Sequence, residues 1–240
     1  MIITNGLTKR YKDVLAVDAL DLHIKKGEIF SLLGVNGAGK TTTIKMLSCL
    51  LSPSSGDAFL NNESISKSAA AIKSIIAVSP QETAIAPLLS VRENLELICG
   101  INQFSHEKTE QKIKQLGRKL GLVEVMKRRA GKLSGGWQRR LSIAMALISE
   151  PKILFLDEPT LGLDVIARSE LWDIIRGLKG DITVVLTTHY MEEAEALSDR
   201  VGIMKSGKLL AVGTPNEIKE LAGVESFEKA FINIVKGAEK

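Results

Sequence analysis

The chain has 240 residues, a net charge of +4, 45% hydrophobic residues and two cysteines. That length suits one domain or two closely joined lobes around a sizeable core, and the dispersed, mild basicity favours a solvated surface over a nucleic-acid face. No apolar run approaches the roughly 20 residues needed to cross a bilayer, and the start "MIITNGLTKRYKD" lacks the apolar core of a signal peptide. Cys49 and Cys99 sit in apolar company without zinc or redox spacing, which predicts buried, reduced thiols in a cytosolic chain.

In chain order, strands and turns lead up to "EIFSLLG", a β-like run, followed by the glycine loop "VNGAGK" and a helix over "TTTIKMLSCLL". "SPSSGDAFLNN" then supplies turn chemistry before another strand. From Ser90 the texture becomes helical: Ser90 with Glu93 forms a capping box, and "HEKTEQKIKQLGRKLGL" reads as an exposed helix. In "KLSGGWQRRLSIAMAL" a Ser-Gly-Gly entrance opens a helix with Leu141, Ala144, Met145 and Ile148 on one face. From Pro151 strand-like and helix-like runs alternate: "KILFLD", "ARSELWDIIRGL", "ITVVLTTH", "MEEAEAL" and "RVGIMKSGKLLAVG". Thr214-Pro215-Asn216-Glu217 then starts a final helix. The alternation implies a largely parallel sheet covered on both faces, interrupted by a helical insertion. The divisions are residues 1–89, about 90–150 for the insertion, and 151–240 for the return to the α/β core, all within a single domain of 1–240.

"GVNGAGKT", from Gly34 to Thr41, matches the phosphate-loop pattern G-x-x-x-x-G-K-[ST]. Its glycines let backbone amides curl around phosphate oxygens, Lys40 brings a mobile positive charge to the β- and γ-phosphates, and the Thr41 hydroxyl is placed for Mg²⁺. "ILFLDEP" ends a buried-type strand in two carboxylates, where α/β proteins bind ligands. Asp157 is assigned to the Mg²⁺ site, and Glu158 to orienting and deprotonating the attacking water. His189 ends another core strand within reach of a γ-phosphate, whereas His23 and His106 have no such setting and are read as surface residues. From the residues alone, Tyr11 is as compatible with ordinary packing as with stacking on an adenine ring. The Ser-Gly-Gly helix start is a second anion site, because its backbone amides point outward.

Taken in order, these pieces resemble the nucleotide-binding subunit of an ABC transporter, from about Leu7 to about Ile218; "LSGGW" is similar to the family signature usually written LSGGQ. The resemblance implies an α/β P-loop NTPase (RecA-like) core with a mixed, mainly parallel sheet, an N-terminal antiparallel β part and a helical subdomain. It assigns adenine stacking to Tyr11, and phosphate and nucleotide binding to Gly34, Asn36, Gly37, Ala38, Gly39, Lys40, Thr41 and Thr42. Gln81 becomes a Mg²⁺ ligand, with Thr41 and Asp157, and a sensor of the γ-phosphate and the membrane partner. Glu158 and His189 become the catalytic glutamate and the switch histidine, and Asp164 belongs to a loop that communicates across a dimer. Ser134, Gly135 and Gly136 would contact the nucleotide held by a second subunit.

The implied protein is therefore an ATPase that uses ATP and Mg²⁺. It would pair with a second ATPase subunit and drive separate transmembrane permease subunits from the cytoplasmic face, with no nucleic acid expected as partner. "EPTLGLDVIAR" and "LTKRYKDVLAVDAL" look most like stand-alone ATPases of bacterial export systems, drug and antibiotic efflux included. The rival reading is a soluble ABC-type ATPase acting on nucleic acid or ribosomes; such proteins tend to carry paired cassettes, long coiled-coil insertions or zinc modules. Trp137 departs from the signature's usual Gln and is expected to alter packing at its edge without abolishing contact with the second nucleotide. Val35, where Pro is common, is expected to be harmless.

Overall fold

The structure is a computed structural model that describes residues 1–237. β1 (Ile2–Tyr11) and β2 (Val14–Ile24) form an antiparallel hairpin whose turn uses Lys12 at φ 49°. β3 (Ile29–Gly34) runs into the glycine loop and α1 (Lys40–Leu47). β4 (Ser55–Leu60) and β5 (Glu63–Ser64) complete an antiparallel sheet in the order β2-β1-β4-β5. α2 (Ala69–Lys73) and β6 (Ile76–Ser79) precede three helices, α3 (Val91–Ile101), α4 (His106–Lys119) and α5 (Gly135–Leu147). The chain then alternates through β7 (Ile153–Asp157), α6 (Val165–Arg176), β8 (Thr183–Thr188), α7 (Met191–Leu197) and β9 (Arg200–Lys205). β10 (Lys208–Gly213), α8 (Pro215–Leu221) and α9 (Phe227–Gly237) follow.

The second sheet has the order β10-β9-β3-β8-β7-β6, parallel throughout except for the edge pair β10–β9. Every residue of β3, β7 and β8 is buried, as expected for parallel strands covered on both faces. The period of two divides their side chains between two cores. Leu154, Leu156, Val184 and Leu186 pack with Leu95, Leu116, Leu141 and Leu171 of the helices. Ile153, Phe155 and Val185 face the other way, with Leu7, Val17, Ala58 and Ile44 of the antiparallel sheet and α1. Leu33, Val201 and Ile203 anchor a third cluster, with Ile218, Phe227 and Phe231 of the last two helices.

Both capping boxes form: Ser90 with Glu93 at α3 and Thr214 with Glu217 at α8. Cys99 is buried and Cys49 half-buried, both as free thiols, while His23 and His106 are exposed. Four local readings change. α1 stops at Leu47 rather than continuing to Leu51, because Cys49 turns left-handed (φ 56°) and the Leu50 and Leu51 amides fold back onto the Lys45 carbonyl. "RVGIMKSGKLLAVG" is a hairpin, broken where Ser206 and Gly207 both take positive φ. The helix at Thr214 is not the last, since α9 follows it. α5 is also not one-faced: Arg139, Ser142 and Ile143 are as buried as Leu141, Ala144 and Ile148, because the helix is wedged between the helical layer and the sheet.

Phe155 is fully buried between the two sheets. Phe155→Ala is expected to cost about 3–5 kcal/mol of unfolding free energy in a urea titration. A loss under about 1 kcal/mol would mean that this cluster collapses around the deletion and is not the close-packed core described.

Candidate functional site

The candidate residues fall in two separate places. The first is a cleft of about 750 Å³ at the C-terminal ends of β3, β7 and β8, lined by residues 36–42, Gln81, Glu158 and His189. Gly34 lies beneath it and contributes its carbonyl, which accepts from Lys40 Nζ at 2.7 Å; Val35 O accepts from the same ammonium at 3.2 Å. The Val35 side chain itself is exposed. Gly39 stands at φ 103°, where a Cβ would come within 2.5 Å of Ala16 O, so this close approach requires glycine. No side chain caps α1, which leaves its first amides directed into the cleft.

The floor is a connected set of polar groups. Thr41 Oγ1 donates to Asp157 Oδ1 at 3.1 Å, and the Thr187 hydroxyl donates to the same oxygen. Thr187 Oγ1 in turn accepts from the Glu158 amide at 3.0 Å. Glu158 holds φ at 47°, a left-handed value that costs a non-glycine residue on the order of 1–3 kcal/mol. This turn aims its carboxylate between two cations or potential cations: Oε1 lies 3.6 Å from Lys40 Nζ, and Oε2 lies 2.8 Å from His189 Nδ1. Burial pushes the Lys40 pKa below its ordinary value, while the neighbouring Glu158 and Asp157 carboxylates pull it back up.

Tyr11 stays outside this cleft. It is 45% exposed, with the Lys9 ammonium 5.3 Å from its ring, and the cleft edge is instead formed by Val14, Leu15 and Ala16 of β2, with Leu161 and Ser206. Nothing in the alternating pattern of β2 marks these three residues; only its close passage by the glycine loop, with Ala16 O against Gly39, does.

The second place is the start of α5. Ser134 is its N-cap residue, yet its side chain makes no capping bond, so its hydroxyl and the first helical amides face outward. Ser134, Gly136 and Trp137 line a depression with Arg140, Ala167 and Glu170, distinct from the first cleft. A Cβ on Gly136 would meet Ala167 Cβ at 3.0 Å, which fixes glycine by the approach of α6. Asp164 is the N-cap of that helix and accepts from the Ala167 amide at 2.9 Å. Trp137 is half-buried against the helical core; the Arg140 guanidinium lies 4.8 Å from its ring and pairs with Glu170.

A glycine loop that carries a buried lysine to paired carboxylates at the end of a parallel strand defines a P-loop nucleotide hydrolase. The family model described as "ABC transporter" matches residues 17–161, and the chain belongs to that family as one of its ATP-binding, ATP-hydrolysing subunits. It is 39% identical over 223 residues to "Daunorubicin resistance ATP-binding protein DrrA3" of Streptomyces coeruleorubidus, covering 92% of this chain and 71% of that one. It is 37% identical to "Probable multidrug ABC transporter ATP-binding protein YbhF" of Escherichia coli, covering 100% of this chain and 42% of that one. Among solved structures, an ATP-binding subunit of an ABC transporter superposes with TM-score 0.86 at 25% identity, covering 98% of this chain and 99% of the other. The cassette MJ0796, solved as a dimer in a post-hydrolysis state with ADP and Pi, superposes with TM-score 0.80 at 27% identity, over 89% of this chain and 98% of that one.

Two buried ionisable residues were not legible as part of the site. Arg139 reaches the Gln81 segment, and Glu193 of α7 lies fully buried, accepting from Trp172 Nε1 at 3.1 Å. Burial pushes the Glu193 pKa up, against the pull of the Thr188, Thr160 and Trp172 side chains and the Arg168 charge. The folded chain therefore holds this proton to higher pH than the unfolded chain, so the associated stability is complete below the unfolded-state pKa and is lost as pH rises through the folded-state value. Glu193→Gln cannot ionise and is expected to gain in Tm relative to the parent as pH is raised from the ordinary carboxylate value through neutrality. A Tm difference that stays constant across that range would contradict the assignment.

Proposed function

We propose that this chain is the ATPase of an export system, acting on the cytoplasmic face of a membrane through separate permease subunits. Two ATPase subunits close head to tail, so that each nucleotide lies in one cleft and under the other's Ser134–Gly136. The observation that carries this is the separation of the two places: the α5 start, with a free serine hydroxyl and uncapped amides, is not part of its own chain's nucleotide cleft. Neutral donors and the helix dipole suit a phosphate whose positive partner, Lys40, comes from the opposing subunit. Among the described residues no helix is long and apolar enough to cross a membrane, which agrees with separate spanning subunits. The export direction draws support from the relatives whose names carry drug resistance or multidrug transport.

Within the cleft, Asn36 to Thr42 cradle the phosphates, Lys40 meets the β- and γ-oxygens, and the Val14–Ala16 edge borders the base, with the exposed Tyr11 ring beyond that edge available to stack on it. Glu158 orients the attacking water and accepts its proton, with His189 holding the carboxylate and facing the γ-phosphate. The donors offered by Thr41, Asp157 and Gln81 are all oxygen atoms, the set that Mg²⁺ prefers beside nucleotide phosphates. When bound, Mg²⁺ would offset phosphate charge. Closure is favoured by ATP because only the closed pair makes the contacts to Ser134, and a ligand shifts an equilibrium by its differential affinity for the two states. Asp164, which starts the helix packed on Gly136, carries the state of one site toward the other.

Glu158→Gln is expected to retain ATP binding while turnover falls by about 10²–10⁴. With ATP this variant is expected to scatter light as a dimer, and adding Ser134→Arg is expected to return it to monomer; a dimer unaffected by Ser134→Arg would rule out the shared site. Detergent extraction of tagged chain from its source is expected to bring down a polytopic membrane protein in stoichiometric yield. Recovery only with ribosomes or DNA would overturn the transport reading.

A further inference from the structure

Arg139 takes no part in the chemistry above, yet it is only 4% exposed. Among the described residues no carboxylate lies within ion-pair distance of its guanidinium, and burial pushes its pKa down, with Asp157 and Glu193 attracting it from farther away. Its hydrogen-bond partners are backbone: Nη1 donates to Pro80 O at 2.6 Å and Nη2 to Gln81 O at 2.5 Å. Three residues along the same helix face, Ser142 shares a 2.9 Å hydrogen bond with Ser79, the last residue of β6. α5 thus grips residues 79, 80 and 81 in succession. Beyond them the chain has no helix or strand until Val91, apart from an isolated bridge at Ser90, and its far end is tied by Asn94 to the Ala86 amide and carbonyl at 2.8 and 3.1 Å.

A buried guanidinium that finds only neutral acceptors is costly, and an apolar side chain would fill the space with less desolvation. What the planar fork supplies is geometry: two parallel donors fix the direction of two consecutive peptide groups, which a single ammonium does not. Ser134 lies five residues upstream on the same rigid helix, a rise of about 7.5 Å. We propose that Arg139 is a positioning residue that locks the Gln81 segment to the signature helix, so that Gln81 in one nucleotide site and Ser134 facing the partner's nucleotide move as one body. This rests on the shared-site reading above. It adds the physical link by which occupancy of one cleft is felt at the other, and that coupling is reciprocal for binding.

The test uses the full chain in four forms, parent, Gln81→Ala, Arg139→Met and the double variant, each with and without Glu158→Gln. Arg139→Met is expected to lower kcat by about tenfold to a hundredfold and to raise the ATP concentration for half-dimerisation in the Glu158→Gln background by a similar factor. The double variant is expected to fall no further than Gln81→Ala alone, because Arg139 acts through Gln81. Effects that multiply would assign Arg139 a purely structural role and overturn the coupling. Gln81→Ala with parental turnover and dimerisation would overturn the role of Gln81 itself, and the proposal with it. Arg139→Lys, which keeps the charge and loses the fork, guards against misfolding of the Met variant: amide exchange over residues 81–86 is expected to quicken while β3 stays protected. Unchanged exchange there would also overturn the proposal.

Discussion

Three buried strands running the same way bring the chemistry together. β3 and β8 pair Leu33 with Thr188, and β8 and β7 pair Thr187 with Asp157, so the three C-terminal ends finish level. Gly34 opens the phosphate loop at one end, His189 follows the second, and Glu158 follows the third. A slip of one residue in either ladder would turn every following side chain to the opposite face. The hydrogen-bond register thus determines whether Lys40, His189 and the two carboxylates meet. The two apolar cores exist to hold that register: Leu154 and Leu156 are gripped on one side, Ile153 and Phe155 on the other.

On this frame sits a site under local constraint. Glu158 is kept in a left-handed turn, its amide bonded to Thr187 and its carboxylate shared between Lys40 and His189. Neither oxygen is committed to a helix cap or a surface ion pair. A carboxylate so placed is oriented by the fold itself, which is the preorganisation that the proposed role of Glu158 as base draws on. Lys40, drawn into the chain by the Gly34 and Val35 carbonyls, is desolvated at the same point, which strengthens its attraction for phosphate.

The helical layer is continuous with this machinery. α5 shares a core with the sheet on one side and carries the exposed Ser134 at its tip, while its buried Arg139 and Ser142 hold the segment leading into Gln81. Trp137 finds its place in the same packing, seated against the helical core and covered by an arginine that is tied to α6. Trp137 thus lies toward α6 and leaves the Ser134 hydroxyl uncovered.

Much of the architecture is legible in local patterns. The continuous apolar runs of β3, β7 and β8, the capping boxes at Ser90 and Thr214, and the glycine loop before Lys40 each carry their own physical cause in adjacent residues. Where a signal needs a distant partner, sequence fails. α1 ends early because Cys49 turns left-handed and the Leu50 and Leu51 amides fold back onto Lys45, and the cleft edge includes Val14–Ala16 because β2 passes the glycine loop. Arg139 and Glu193 look like ordinary surface charges until the helices that bear them are packed. By itself the sequence determined the elements, the phosphate loop and the class of chemistry, because periodicity, caps and glycines act over a few residues. Only the tertiary structure decided which face of α5 is buried, which strands border the cleft and which charges are sealed inside, because those depend on hydrogen bonds and burial between segments far apart in the chain.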